Sequence, residues 1–292
     1  MIWYILPVAI CIVLICIVLV MKRMSRQASE LKIVEAECVS ENRDEAVTRF
    51  CFISDVHITS MPVKWGSILS AIRESGAEFI LITGDLVNKE DDCETARQFI
   101  FTLSVGTKLP VIITLGNHDN EAAARYEGGR DAFIESFTSI PGDVRIIDDD
   151  YTVAANVLIG GIGDLRTRKD PPDDLIRKWA VRAGEKGLDY ILATHNADVL
   201  LTTRPRDELI PEGAAVPACV FCGHTHGGQI RLVSGIEFKI IKDDKLPKQG
   251  VYYGSHRVAG YDVLITSGLG CSLVPLRSGT SPEVVVVILK PV

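Results

Sequence analysis

The 292-residue chain carries 31 basic and 38 acidic side chains, a net charge of −7. That balance excludes the broad positive field by which nucleic-acid-binding domains grip phosphate backbones, so no nucleic-acid partner is expected. Hydrophobic residues at 47% and charged residues at 24% describe one large globular domain with a real core, not a disordered chain.

The N-terminus stands apart. MIWYILPVAICIVLICIVLVM, residues 1–21, contains no charged side chain, and as a helix it spans about 30 Å, the thickness of a hydrocarbon core. Trp3 and Tyr4 sit near one end, where an aromatic belt belongs, and Lys22, Arg23 and Arg26 follow the other. A cleaved signal peptide requires positive charge before a shorter apolar run and a small-residue cleavage site after it, and neither is evident. Residues 1–22 are therefore expected to be an uncleaved anchor in the lipid bilayer of the cell membrane. The basic residues after the span predict a cytoplasmic catalytic domain. Residues 23–48 read as a juxtamembrane linker, within which LKIVEAECV alternates enough to form a first strand, and 49–292 as the catalytic domain.

Beyond the linker, short β-branched runs recur and each stops at a polar cluster: FCFIS-DVH, EFILIT-GDLVN, PVIIT-LGNHD, DYILA-THN and ACVFC-GHTH. Helical patterns fall between them at roughly 63–75, 93–105 and 172–184. Alternating strands and helices predict a layered α/β fold with a largely parallel core. In such sheets the functional crevice lies outside the carboxyl ends of the strands, where all five clusters sit.

Those clusters hold Asp55 and His57, Asp85 and Asn88, Asn117 with His118 and Asp119, His195, and His224 with His226. Five of the six histidines are here, a coincidence that scattered core histidines do not produce. Carboxylate, imidazole and amide oxygen suit Mn, Fe, Zn or Ni, and no thiolate closes the site. Asp55, His57, Asp85, Asn117, His195, His224 and His226 are too many ligands for one ion and suit two divalent metal ions, as in-line displacement at phosphorus uses. Cys219 and Cys222 form a lone C-x-x-C, better read as small buried strand residues than as a redox or zinc pair.

D-x-H, G-D-x-x-N, G-N-H-D, a later His and G-H-x-H, in this order over residues 50–230, resemble the signature of the calcineurin-like metallophosphoesterases. GHTHGGQI and GLGCSLVPLR resemble that family's membrane-anchored bacterial branch. The resemblance implies a four-layer α/β/β/α sandwich, preceded here by one transmembrane helix. It implies a first metal on Asp55, His57 and His226, and a second on Asn117, His195 and His224, with Asp85 bridging. Manganese is the favoured ion. His118 is implied to act on the leaving oxygen, oriented by Asp119.

The expected activity is metal-dependent hydrolysis of phosphodiester or pyrophosphate bonds. Some anchored relatives cleave UDP-2,3-diacylglucosamine, which makes a lipid-linked nucleotide the specific substrate guess. The alternatives are a broad-specificity phosphodiesterase or phosphatase, and a metal-binding module without turnover. Smaller expectations accompany these. Asn120 reads as the N-cap of a helix beginning EAAARY. Asn88 reads equally as a turn residue or a site residue, Arg166 and Arg168 as solvated, and His256 as either cap or surface. Stretches near 151–161, 216–233, 261–267 and 283–290 are expected to build the second sheet.

Overall fold

The computed structural model describes residues 2–41, 47–231 and 244–292. Part of the linker (42–46), the end of one predicted strand (232–233) and the side chains of Trp3 and Tyr4 lie outside the described residues.

Two six-stranded sheets carry the fold. The first comprises β1 (Lys32–Ser40), β2 (Thr48–Ile53), β3 (Ile80–Thr83), β4 (Val111–Thr114), β5 (Val144–Ile146) and β12 (Glu283–Pro291). The second comprises β6 (Asp150–Ala154), β7 (Val157–Ile162), β8 (Asp189–Thr194), β9 (Val220–Cys222), β10 (Gly254–Val258) and β11 (Tyr261–Ile265). Their orders are β1-β12-β2-β3-β4-β5 and β10-β11-β9-β8-β7-β6. β2 through β5 run parallel, as do β7, β8, β9 and β11.

The sheets meet face to face. Phe50, Phe52, Phe79, Leu81 and Val287 of the first pack against Ile159, Ile191 and Phe221 of the second. Phe50 stacks on Phe79 with ring centroids 4.6 Å apart, and the Phe221 edge meets both Phe50 and Phe52 at 5.2 Å. Aromatic pairs in these geometries add about 0.5–1.5 kcal/mol each beyond their burial. Outside the first sheet lie α2 (Trp65–Glu74), α3 (Cys93–Thr107), α4 (Asn117–Arg125) and α5 (Gly129–Thr138), with Ile68, Phe99, Leu103 and Phe133 in the core beneath. α6 (Asp173–Glu185) covers the second sheet through Ile176 and Trp179. The layers are the expected α/β/β/α.

The C-terminal strand corrects one expectation. β12 does not join the second sheet; it enters the first between β1 and β2, parallel to β1 and antiparallel to β2. A run such as VVVVIL announces a strand buried on both faces, but not which sheet it completes. β1 pairs with β12 along its whole length, from Lys32 with Glu283 to Ser40 with Pro291. The alternating stretch inside the linker is thus an edge strand of the sheet.

Helix α1 (Ile2–Ser29) continues past the apolar run and its basic residues. Its described span has a mean hydropathy of 2.4 and is long and apolar enough to cross a membrane. Val8 through Met21 stay roughly half exposed on every side. Only near its end does the helix meet the globular part, where Ala28 is buried.

Candidate metal centre

Each predicted ligand follows a strand by a few residues. β2, β3 and β4 deliver Asp55 and His57, Asp85, and Asn117; β8 and β9 deliver His195, and His224 with His226. Both sheets therefore contribute to one crevice. Five of these residues have left-handed backbone: Asp55 (φ 48°), His57 (39°), Asp85 (54°), His224 (70°) and His226 (52°). Such conformations cost non-glycine residues roughly 1–3 kcal/mol each and persist where the surroundings impose them. Here they turn the chain sharply enough to aim side chains back over the strand ends. Close backbone approach does the rest. A Cβ at Gly116 would meet the Asp85 carboxylate at 2.2 Å, and one at Gly84 would meet Gly116.

The side chains form two buried clusters, Asp55–His57–His226 and Asp85–His195–His224. His226 Nε2 lies 3.5 Å from Asp55 Oδ1, and His224 Nδ1 lies 3.2 Å from His195 Nε2. Asp85 Oδ2 stands 3.5 Å from His57 Nε2 and 3.2 Å from His195 Nε2, so one oxygen faces both clusters. Two atoms bound at ordinary lengths to a common ion, at tetrahedral to octahedral angles, are about 3.0–3.4 Å apart. Two of the spacings (3.2 Å) lie inside that range and two (3.5 Å) just above it. His57 Nε2 and Asn117 Oδ1 are buried with no hydrogen-bond partner among the described residues, as lone pairs reserved for a cation are. The donor set fits two divalent ions.

A surrounding layer fixes which nitrogen each ring presents. His195 Nδ1–H donates to the Thr83 carbonyl at 2.7 Å, leaving Nε2 for the crevice. His57 Nδ1–H donates to Asn88 Oδ1 at 2.6 Å. The Asn88 amide is itself oriented by donation to Thr59 and Ser60, so the residue is a buttress of the site, not merely part of a turn. His224 Nε2 faces Asp244 Oδ2 at 3.2 Å. Such buttresses set tautomer and ring angle, and their loss typically costs 10–100-fold in metal affinity. Asn88→Ala is accordingly expected to weaken metal binding about 10–100-fold at near-unchanged thermal stability of the metal-free protein. Titration with a fluorescent chelator competitor checks this, and an unchanged affinity would rule out the buttress role.

Charge is arranged to match. Burial lowers the His57 pKa, against the pull of Asp85 and Asp55. Burial would lower that of His195 too, but the Asp85 carboxylate, by charge and hydrogen bond, raises it to about 10 in the metal-free site. For Asp85, burial opposes ionisation yet His195 and His57 hold the carboxyl well below its ordinary range. A ring with a pKa near 10 is protonated at neutral pH, whereas a ligand imidazole must be neutral. Metal uptake at pH 7–9 should therefore release a proton from His195, and apparent affinity should climb with pH until about 10. Calorimetry in buffers of different ionisation enthalpy measures it; zero protons released at pH 7.5 would refute the assignment.

His118 borders the same crevice. Its backbone N–H donates to Asp85 Oδ1 at 2.9 Å, and its ring meets that of His57 edge-on at 5.2 Å. The expected orientation of His118 by Asp119 is not what the structure contains. Asp119 Oδ1 accepts the N–H groups of Leu86 (2.8 Å) and Val87 (3.2 Å), and Oδ2 accepts that of Gly116 (2.9 Å). The carboxylate ties the loop after β3 to the start of α4, and His118 Nδ1 is buried with no hydrogen-bond partner among the described residues. Burial, then the Asp85 charge, raises the Asp119 pKa to about 6 against the Gly116 and Val87 N–H donors and the His195 charge. The helix N-cap is Gly116, not Asn120, whose Nδ2 donates back to the Gly116 carbonyl at 2.9 Å.

The ligands open on a cleft of about 550 Å³. Arg166 is exposed, as the solvated reading expects, and pairs with Glu121 at 3.8 Å while reaching the cleft rim; Arg168 departs from that reading, its side chain only 10% exposed and ion-paired with Asp149. Sequence reasoning missed Asn196, Asp198, Asp244, Lys245 and Ser272, which also line it. Asn196 directly follows His195, a proximity that could have marked it; its Nδ2 donates to Asp244. His256 lies on the edge strand β10, outside the cleft. Cys219 and Cys222 are free, buried residues in and beside β9, with burial pushing the Cys222 thiol up.

Paired divalent ions are a general means of cleaving phosphate esters in line, and this fold with these two clusters is that of a metal-dependent phosphoesterase. The chain belongs to the calcineurin-like phosphoesterase family, whose model matches residues 48–228. It is 27% identical over 241 residues to the uncharacterized protein YpbG of Bacillus subtilis, covering 82% of this chain and 79% of that one. It is 24% identical over 232 residues to the uncharacterized metallophosphoesterase YkuE of the same organism, covering 77% and 72%. Among solved structures it resembles the Haemophilus influenzae NAD nucleotidase (TM-score 0.47, 10% identity, 77% of this chain) and a purple acid phosphatase from yellow lupin seeds (TM-score 0.44, 12% identity, 79%). The match takes in 45% of each of those two chains.

Proposed function

We propose that the chain hydrolyses phosphodiester or pyrophosphate bonds with two divalent ions, manganese favoured, and that its substrate is presented at a membrane surface, as a lipid-linked nucleotide such as UDP-2,3-diacylglucosamine is. The observation that carries the two-ion reading is Asp85 Oδ2, set 3.5 Å from His57 and 3.2 Å from His195 and so shared between the clusters. On this reading Asp55, His57 and His226 hold one ion, and Asn117, His195 and His224 the other, with Asp85 between. When bound, the ions supply charge neutralisation and activation of the nucleophile.

The chain's own groups do the rest. Asp119 keeps the loop after β3 in place. Arg166 and Lys245 bring positive charge to the cleft wall, where phosphate oxygens would lie. The His118 imidazole, on the cleft wall, would hold a proton for the departing oxygen. Residues 1–22 serve as the anchor and 49–292, joined by strand β1, as the hydrolase. Lys22, Arg23 and Arg26 after the span favour a cytoplasmic site.

The test uses the full chain in detergent, stripped by chelator and reloaded with manganese. Release from a chromogenic phosphodiester is expected to exceed release from the matching monoester, with UDP-2,3-diacylglucosamine cleaved faster than either. Protein that retains its metal but is inert on all three would overturn the enzymatic reading and leave a metal-binding module. Equal cleavage of every ester, with no preference for the lipid nucleotide, would favour the broad phosphodiesterase.

A further inference from the structure

The segment Cys-Ser-Leu-Val-Pro-Leu-Arg, residues 271–277, contributes no candidate metal ligand, yet it is heavily braced. The single side chain of Gln229 spreads its N–H groups over the carbonyls of Ser272 (2.9 Å), Val274 (3.0 Å) and Leu276 (3.2 Å), and its Oε1 accepts the Ser272 N–H at 2.7 Å. Arg277, fully buried, donates to the carbonyls of Ser267 (2.9 Å) and Gly268 (3.2 Å) and also bonds Gly270. This frame holds its apolar tip in solvent. Leu273 is 93% exposed and Val274 44%, beside an exposed Pro275. Leu273 also has left-handed backbone (φ 63°), unfavourable for a branched apolar side chain. A lone exposed leucine needs no explanation, but a rigid mount that presents one in a strained conformation does.

The loop is also fastened to α1. The Arg277 backbone N–H donates to the Met24 carbonyl at 3.2 Å. Met24 lies three residues, about 4.5 Å of helix rise, beyond Met21, where the apolar run ends. The base of the loop is thus pinned close to the level at which α1 would leave a bilayer, at a helix residue flanked by the exposed Lys22, Arg23 and Arg26. Ser272, the residue before Leu273, lines the catalytic cleft.

We propose that Leu273, Val274 and Pro275 form a second membrane contact, sinking into the headgroup–acyl boundary of the bilayer that α1 crosses, while the three basic residues meet anionic headgroups. The inference rests on the reading of α1 as an anchor. Short apolar insertions backed by basic residues bind interfaces in this way, each favourable by the apolar area removed from water. The effect is to fix the orientation of the cleft as well as its distance, with its Ser272 wall against the lipid surface. A lipid-borne phosphate ester could then reach the crevice without leaving the leaflet.

The test is depth-dependent tryptophan quenching on the full chain. A Trp3→Phe parent removes the tryptophan of α1 but keeps Trp65 and Trp179. One tryptophan is then added in turn at Leu273, Val274, Val13 or Val153, and its emission and quenching are read as the difference from the parent. Each variant is reconstituted into phosphatidylethanolamine–phosphatidylglycerol vesicles with or without dibrominated phosphatidylcholine. Diester hydrolysis at the parent's rate certifies the fold. Leu273→Trp and Val274→Trp are expected to shift to the blue and lose intensity with the brominated lipid. Val153→Trp, at the far edge of the second sheet, is expected to do neither. If Val13→Trp is quenched while Leu273→Trp and Val274→Trp are not, the loop contact is overturned and the anchor stands. If none of the three is quenched, both fall.

Discussion

Asp85→Ala is expected to bring the metal content of the purified protein close to zero and to abolish diester hydrolysis. No other substitution at the site reaches so far, because Asp85 Oδ2 faces His57 and His195 at once and Oδ1 accepts the His118 amide. Loss of a buttress that only orients a ligand costs about 10–100-fold in affinity; loss of the carboxylate shared by both clusters should exceed that. It should also remove the proton-release signature. Without the carboxylate, the main influence that holds the proton on His195 is gone, and burial pulls its pKa down against only Asp55 and Asp164. Elemental analysis after gel filtration gives the answer directly. Two ions retained per chain, with turnover, would mean that Asp85 does not bridge.

His118→Ala is expected to separate binding from chemistry. The structural bond of this residue is made by its backbone N–H to Asp85, which alanine preserves, so both ions should remain. What is lost is the ring at the cleft wall. Removing a general acid typically costs 10²–10⁴-fold in kcat, with the larger loss on poor leaving groups. A nitrophenolate leaves without much help and an alkoxide does not, so the ratio of the two losses is the diagnostic. An equal loss on both would argue that His118 binds substrate phosphate and transfers no proton.

The metal centre was legible because strand ends in a parallel sheet are close in sequence as well as in space to the loops that follow them. Each candidate block announced itself within a few residues of its strand. The family resemblance implied a partition into two sets, and the structure brings Asp55, His57 and His226 together, and Asp85, His195 and His224. What escaped notice was supplied from elsewhere in the chain. Asp244, which braces His224, lies in a segment whose sequence, KDDKLPK, reads as an ordinary charged turn. Asn88 had the right position but no sign in the sequence that its amide would be clamped by Thr59 and Ser60. The role expected of Asp119 failed for a local reason. At the third position of a helix, a carboxylate has backbone N–H groups at hand, and these outcompete a neighbouring imidazole. β12 was legible as a strand, yet its place between β1 and β2 depends on long-range pairing that hydropathy does not encode.

Five of the metal-binding candidates sit where the chain must turn the wrong way for an L-amino acid. These are positions at which the needs of folding and the needs of chemistry are opposed. In a mutant library sorted for cellular abundance alone, glycine and asparagine should accumulate at His57, His224 and His226 ahead of other buried sites, because either residue relaxes the backbone. In the same library sorted for hydrolysis, those substitutions should vanish. The distance between the two outcomes, position by position, would map how much foldability this molecule surrenders to keep its ions.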